Sequence, residues 1–350
     1  MGSAVRFACV LGCALLAVRA APGQTNLGGK LKELNVRVRT EHYALAGTVS
    51  DKTLNDYGRL LEIVHREYAA TFAAVTDEPT KSATDKRPAA KAPKAATKGA
   101  RGKTAEPVEP NAPAGDAKDA NTPAARLAPA GLDEQGRYPV LVFSTENEYQ
   151  DFGREFLGGR TEHTGGMFIP SQGALLILDR GNPNSTSEVL FHEAFHQFMH
   201  RHIKNPPMWL NEGLAEYYGT ARVQQGRLVF MPDADSWKLV RKAIEKKLTI
   251  SLAQLVQADH NQFYDATAVN ISGFEDVRRS HLYYKQSYTL IHCLLADQTA
   301  KPRLRDYMRA LAKDDGSNTA KITAEFFGPI VCDQITPFWI KHVQSRPENR

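Results

Sequence analysis

Phe191-His192-Glu193-Ala194-Phe195-His196-Gln197 is the stretch that decides the fold of this chain. Its two histidines are four residues apart, so on a helix they lie one turn from each other on the same face, close enough to share an ion. Two neutral imidazoles at this spacing are what Zn²⁺ binds on a helix, and Glu193 is then placed to act as a base on water. Apolar residues on both sides predict a helix buried in the core. Ser185 with Glu188 predicts a capping box at its start.

A second motif, Met208-Trp209-Leu210-Asn211-Glu212-Gly213-Leu214-Ala215-Glu216-Tyr217, supplies the third protein ligand that a catalytic zinc site requires. Asn205-Pro206-Pro207 ends the histidine helix, because proline cannot continue a helix and restricts the residue before it. A second helix that begins near Pro207 can run back antiparallel and bring Glu212 to the metal. Glu216 lies one turn further along the same face, where it could orient one histidine through the free ring N–H. A solvated Glu216, or an exchange of roles between Glu212 and Glu216, is the alternative.

Together, His192-Glu193-x-x-His196 and Trp209-Leu210-Asn211-Glu212-Gly213 resemble the motifs of the gluzincin metallopeptidases, the group that includes thermolysin and aminopeptidase N. The chain is most similar to the bacterial peptidase MA-like family, over roughly residues 138–295. The resemblance implies that His192, His196 and Glu212 bind Zn²⁺. It also implies that Glu193 is the general base when a zinc-activated water hydrolyses a peptide bond. Aminopeptidase activity is not implied, because the exopeptidase motif Gly-x-Met-Glu-Asn is absent and the gap between the two motifs is shorter.

The resemblance also suggests an oxyanion donor. Tyr284, in Tyr284-Lys285-Gln286-Ser287, falls where aminopeptidase-like gluzincins carry a tyrosine for this purpose. Core packing of Tyr284 is the alternative, because Tyr283 and Tyr288 lie on the same predicted helix, and His281 is a competing donor.

Hydrophobic periodicity predicts the fold class, which is α+β. A strand at 37–45 and a helix that begins at Ser50 or Asp51 are followed, after a long insert, by a strand at 138–143 and a helix capped by Thr145. Two short strands, at 165–170 and 174–178, then precede the metal helix. By the resemblance this is a zincin-like metallopeptidase fold, a small mixed sheet with an edge strand beside the metal helix, followed by a mostly helical C-terminal part.

In zincins the strand just before the metal helix is the sheet edge that holds extended peptide. The resemblance therefore implies that Ala174, Leu175 and Leu176 pair with the backbone of a polypeptide substrate by strand addition. An ordinary core strand at this position is the alternative.

Composition and the resemblance together divide the chain into five segments. Residues 1–20 contain a short apolar run behind Arg6 and the cleavage pattern Val18-Arg19-Ala20, which predict a secretory signal peptide, with a lipoprotein anchored through Cys13 as the alternative. The composition of residues 79–131 predicts a disordered Ala/Lys/Pro-rich insert. The resemblance implies that residues 32–78 are the N-terminal strand and helix of the catalytic domain, 132–220 the zincin catalytic core and 221–345 a helical C-terminal subdomain. We expect a secreted or periplasmic protein without a membrane span.

The insert accounts for the basic charge of the chain, which is +5. Residues 79–131 contain ten Lys or Arg and five Asp or Glu, which leaves 34 basic and 34 acidic residues elsewhere (44 − 10 and 39 − 5). The rest of the chain therefore offers no basic excess for binding nucleic acid. The insert is either a solvated spacer or a weak contact to anionic cell-surface polymer.

The remaining cysteines and histidines are less informative about function. Cys293 and Cys332 remain after the predicted signal peptide is removed, and they form either a disulfide or two buried free thiols. Five other histidines are expected at the surface or at helix caps: His42, His65, His163, His200 and His202.

The function predicted from the sequence is that of an exported zinc metallopeptidase acting on polypeptide. The alternative is a catalytically silent zinc-binding protein that uses the same fold as a binding or scaffold module.

Overall fold

The computed structural model describes residues 35–73, 135–159, 161, 164–181 and 183–346. The predicted signal peptide at 1–20, the insert at 79–131 and His163 lie outside the described residues. The strands are β1 (Val38–Arg39), β2 (Tyr43–Gly47), β3 (Tyr138–Phe143), β4 (Gly166–Ile169), β5 (Ala174–Leu178), β6 (Ala221–Gln224) and β7 (Arg227–Phe230). The helices are α1 (Asp51–Thr71), α2 (Glu146–Leu157), α3 (Pro183–His202), α4 (Met208–Gly219), α5 (Ala234–Glu245), α6 (Leu252–Gln257), α7 (His260–Phe263), α8 (Arg279–Ala296), α9 (Ala300–Lys313), α10 (Thr319–Phe327) and α11 (Pro329–Gln344).

The first five strands form one mixed sheet in the order β1-β2-β3-β5-β4. β2, β3 and β5 are parallel to one another, and β1 and β4 pair antiparallel at the two edges. β2 is followed by α1, and β3 is followed by α2. Because β2 pairs with β3, the strand–helix units on either side of the insert share this sheet. Parallel strands need cover on both faces, which explains why every residue of β3 and β5 is buried.

Alternate side chains of the sheet enter two hydrophobic clusters. Leu45, Val140 and Ile177 belong to a large cluster that includes residues of α1 and α3 and continues into the C-terminal helices. Leu141 and Leu176 belong to a smaller cluster that contains the aromatic residues of α2. The sequence-based prediction of an α+β fold, with a small mixed sheet and a helical C-terminal part, is confirmed.

The position of the edge strand differs from the prediction. β5, which contains Ala174, Leu175 and Leu176, lies inside the sheet and is paired with β3 on one side and β4 on the other. Both of its edges are therefore bonded to protein backbone, and these three residues cannot add a substrate strand. In the described sheet, the edge strand beside α3 is β4. The run Ala-Leu-Leu-Ile-Leu is apolar on both faces, which is typical of an interior parallel strand.

A hairpin of β6 and β7 opens the segment that the sequence predicted as helical. The strands are antiparallel, with Gln224 opposite Arg227, and the two residues between them both have positive φ angles, 51° at Gln225 and 75° at Gly226. Two-residue hairpin turns with this backbone match the twist of the strands.

The C-terminal helices surround α8, which contacts α4, α5, α9 and α11. Cys293 on α8 and Cys332 on α11 are both free and buried, so the free-thiol alternative is the one that the structure contains. Burial raises the pKa of each thiol to about 11. None of the helices in the described part of the chain combines the length and apolar character that crossing a bilayer needs.

Candidate metal centre

The helix α3 carries both histidines of the first motif. Phe191 and Phe195, each one residue before a histidine, are buried in the large cluster and so fix the rotation of the helix. The helix begins at Pro183, two residues before Ser185. Proline is favoured at a first helical position because its missing N–H has no intrahelical partner to lose.

The helix α4 brings in the second motif. It begins at Met208, directly after Pro207, and packs against both α3 and α8. Gly213 permits the close approach to α8, because a Cβ atom there would lie 2.8 Å from the backbone oxygen of Ser287. The second helix, α4, therefore packs back against α3 as the sequence predicted. This packing brings Glu212 towards the two histidines.

His192, His196 and Glu212 converge at one point. The Nε2 atoms of the two histidines are 3.1 Å apart, and each lies 3.6 Å from Oε2 of Glu212. Tetrahedral zinc with bonds of roughly 2.0–2.1 Å separates its ligand atoms by about 3.3 Å. The three atoms thus form a triangle of the size that a zinc-sized ion needs.

Electrostatics keep the two histidines in the form that binds metal. Burial lowers the pKa of His192 to about 3, and the positive charge of Lys285 adds to the effect. Burial also lowers the pKa of His196 well below its usual value. His196 Nδ1 lies 2.9 Å from Asn211 Oδ1. Because an amide oxygen only accepts, Nδ1 carries the proton and Nε2 keeps a lone pair that a metal ion could use.

The Glu212 carboxylate provides the test of whether this group fits a metal. Its side chain is 0% exposed, and neither oxygen accepts a hydrogen bond from the described residues. Burial, together with the charges of Glu193 and Glu216, raises its pKa well above the ordinary value. A buried carboxylate without donors is costly unless a cation compensates it. The buried group of His192, His196 and Glu212 therefore fits a metal ion and could hold one.

Glu193 lies beside the group of His192, His196 and Glu212 and is hydrogen-bonded to the edge strand β4. Its Oε2 accepts a hydrogen bond of 2.9 Å from the backbone N–H of Phe168 on β4. Leu178 N–H donates to Gly165 O in the same ladder, and antiparallel residues alternate between facing the partner strand and facing away. The backbone groups of Gly166 and Phe168 therefore point away from β5, towards the open side of the sheet.

The hydrogen-bond partner of the His196 ring is Asn211, a residue to which the sequence pattern assigned no role. Glu216, predicted to orient a histidine, forms an ion pair with Lys285 instead, with Oε2 and Nζ 2.6 Å apart. Lys285 Nζ also lies 3.8 Å from Asp233 Oδ2. Asn211 immediately precedes Glu212 in the second motif. Its position next to a candidate ligand was the sequence signal that could have indicated its role.

Tyr284 lies on α8, the helix that packs against α4 next to Glu212. Its side chain is buried, with the ring 5.7 Å from Phe263 and 6.5 Å from Tyr264 between centroids. Lys285, the next residue, reaches Glu216 on α4. The role of Tyr284 as an oxyanion donor stays a prediction.

His42, Glu62 and His65 form a second group whose ligand-type atoms lie within 4.8 Å of one another. Here the carboxylate is already bonded, because Glu62 lies 2.7 Å from both the ring Nδ1 and the backbone N–H of His42. His65 stacks on His42 with centroids 3.8 Å apart and is buried, so its predicted surface position is wrong. The contrast with Glu212 singles out the first group as the candidate metal centre.

Residues 186–315 match a family described as "Protein of unknown function (DUF1570)". The matched segment contains His192, Glu193, His196 and Glu212, so the candidate metal centre lies wholly within it. A search of curated proteins gives no match to the chain.

Proposed function

We propose that this protein is an exported zinc metallopeptidase that hydrolyses peptide bonds in polypeptides. The observation that carries the proposal is the convergence of His192, His196 and Glu212 on one point, with the buried carboxylate of Glu193 beside it. A buried glutamate next to three candidate metal ligands is the general base that metal-assisted hydrolysis requires.

The donor set favours zinc over other divalent ions. Two imidazole nitrogens and one carboxylate oxygen form the three-ligand set of catalytic zinc, whereas structural zinc has four protein ligands and Ca²⁺ or Mg²⁺ prefers oxygen alone. When bound, zinc supplies Lewis acidity, which acidifies water and polarises the carbonyl of a peptide bond.

Glu193 performs the proton transfers in this proposal. Its carboxylate takes a proton from the attacking water and later delivers it to the amine that leaves, so the glutamate ends the cycle ionised. The Phe168 N–H holds Oε2 of Glu193 in place. General acid–base catalysis of this kind contributes about 10²–10⁴-fold to the rate.

The substrate would lie along β4 rather than along Ala174–Leu178. The outward N–H of Gly166 and the outward carbonyl groups of Gly166 and Phe168 are those with which an extended peptide can pair, because the Phe168 N–H already donates to Glu193. Because Phe168 also bonds Glu193, a peptide on this edge would have its backbone next to the general base.

Hydrolysis of a quenched fluorescent peptide by the zinc-loaded protein tests the proposal. We expect a chelator to abolish turnover and added zinc to restore it. Glu193→Gln should retain zinc while kcat/KM falls about 10²–10⁴-fold. The control is Glu325→Gln, an exposed glutamate on α10. If Glu193→Gln hydrolyses peptide as fast as the parent, the peptidase proposal is wrong. If the parent binds zinc but cleaves no peptide, the silent zinc-binding alternative replaces it.

A further inference from the structure

A cavity of about 270 Å³ lies at the C-terminal end of α4, among α5, α8 and the β6–β7 hairpin. Its walls are mainly aromatic: Tyr217, Phe230, Trp237 and Tyr288. A cavity of about 150 Å³ is enough to hold benzene. The space here is therefore sufficient for one aromatic ring carrying a short chain.

The apolar character of the cavity continues to its mouth. Val229, Phe230 and Met231 are exposed to 39%, 39% and 42%, and the last two line the cavity. Deeper in the cavity, Trp237 and Tyr288 are buried. Adjacent exposed apolar side chains that lead into an apolar cavity are typical of a binding site, because exposing them to water is unfavourable unless something covers them.

One wall of the cavity is charged. The guanidinium of Arg346 lies over the Trp237 ring, with its carbon 5.4 Å from the centroid. Its Nη2 lies 3.0 Å from His342 Nε2 and 3.3 Å from His292 Nδ1. Burial and the charge of Arg346 lower the pKa of both histidines, so they are neutral partners.

The positive charge of Arg346 therefore has no compensating anion in the described part of the chain. No described carboxylate forms an ion pair with it, and its Nε is buried without a hydrogen-bond partner there. A guanidinium offers five N–H donors in a plane and binds a carboxylate through two of them. A planar anion is therefore the ligand group that this wall of the cavity is suited to bind.

We infer that this cavity binds a small aromatic carboxylate, with the ring among the aromatic walls and the carboxylate on Arg346. The site is distinct from the metal centre, although Tyr217 follows Glu216 and Tyr288 lies one turn after Lys285. The same chemistry can come from a free aryl-substituted acid or from the C-terminal phenylalanine of a peptide. The inference does not depend on peptidase activity.

Isothermal titration calorimetry of the full chain with 3-phenylpropanoate and its neutral amide tests the inference. We expect the acid to bind with a Kd at least tenfold lower than the amide, both in zinc-loaded and in chelator-treated protein. Zinc independence separates this site from carboxylate binding at the metal. Equal affinity for acid and amide, binding of neither, or binding of the acid only in the presence of zinc would overturn the inference.

Two variants locate the site. Arg346→Met keeps the aliphatic stem and should raise the Kd of the acid at least tenfold while changing that of the amide less than about threefold. Arg305→Met, an exposed arginine on α9, is the matched control and should change neither. Ala234→Phe should fill the cavity and abolish binding of both compounds. If Arg346→Met binds the acid as tightly as the parent, the assignment of the carboxylate to Arg346 is wrong. If a variant does not fold, the ratio of the Kd values of acid and amide for the parent protein still tests the inference.

Two further titrations identify the source of the ligand. Acetyl-Ala-Phe that binds at least as tightly as 3-phenylpropanoate indicates a peptide C terminus, and weaker binding indicates a free acid. Removal of residues 347–350, which include Glu348, should leave the Kd within about threefold. If only the shortened chain binds the acid, the natural occupant is the chain's own terminus and the inference fails.

Discussion

Replacing Asn211 with leucine removes the acceptor for the His196 Nδ1–H and leaves the three proposed ligands intact. The hydrogen bond is 2.9 Å long, and both side chains are buried. Without zinc, the variant imidazole can move its proton to Nε2. With zinc bound, Nε2 must carry a lone pair, so the N–H at Nδ1 is buried without a partner. The penalty therefore falls on the metal-bound state.

Two general magnitudes set the size of the loss in zinc affinity. A buried donor without a partner costs about 1–3 kcal/mol. Loss of the outer hydrogen bond of a metal-binding histidine weakens metal affinity about 10- to 100-fold, and each tenfold step corresponds to about 1.4 kcal/mol. We expect the zinc Kd of Asn211→Leu to rise about 10- to 100-fold.

Competition against a chromophoric chelator measures this Kd. Asn211→Asp keeps an acceptor and should bind zinc at least as tightly as the parent. Asn261→Leu, at an exposed position, should match the parent. A folded Asn211→Leu protein whose zinc Kd stays within about twofold of the parent would refute the reasoning about the His196 tautomer.

Three further outcomes are expected. Burial opposes ionisation of Glu62, yet the hydrogen bond from His42 lowers its pKa to about 2, below the ordinary 4.5. Its stabilising effect is therefore present above pH 4.5 and lost as the pH falls towards 2. Glu62→Gln should lower the free energy of unfolding in urea by about 1–2 kcal/mol at pH 7 and hardly at pH 2, and an equal loss at both would contradict this. Gly213→Ala should lower that free energy by about 1–3 kcal/mol, because its Cβ would meet the Ser287 backbone, and an unchanged denaturation midpoint would show that the helices can separate freely. Tyr284→Phe should lower kcat about 10²–10³-fold with zinc retained, whereas an unchanged kcat would assign Tyr284 to core packing.

The convergence of the three candidate ligands could be predicted from the sequence, because helix geometry alone fixes the relation of His192 to His196. The prolines before Met208 then supplied the reversal that brings Glu212 back. The orienting residue was not accessible in the same way. Asn211 and Glu216 both lie near Glu212 on one helix. Which of them bonds a histidine depends on Lys285, because this residue of α8, distant in sequence, pairs with Glu216.

The order of the strands could not be predicted from local pattern. β4 and β5 are both short and apolar, and which of them lies at the edge depends on pairing with β3 across the sheet. His65 was misplaced for a similar reason, because its burial comes from Tyr138 and Phe198 on separate elements. The β6–β7 hairpin did have a local signal in the sequence, because Gln225-Gly226 follows the alternating run 221–224.

X-ray absorption at the zinc edge of the zinc-loaded protein tests the central claim most directly. We predict one zinc per chain, with scattering from two imidazoles at about 2.0–2.1 Å and from a carboxylate oxygen at about 2.0–2.2 Å. The oxygen contribution should change in Glu212→Gln, and the imidazole contribution should fall by half in His196→Ala. A spectrum without imidazole scattering, or one that neither substitution alters, would contradict a metal centre at His192, His196 and Glu212.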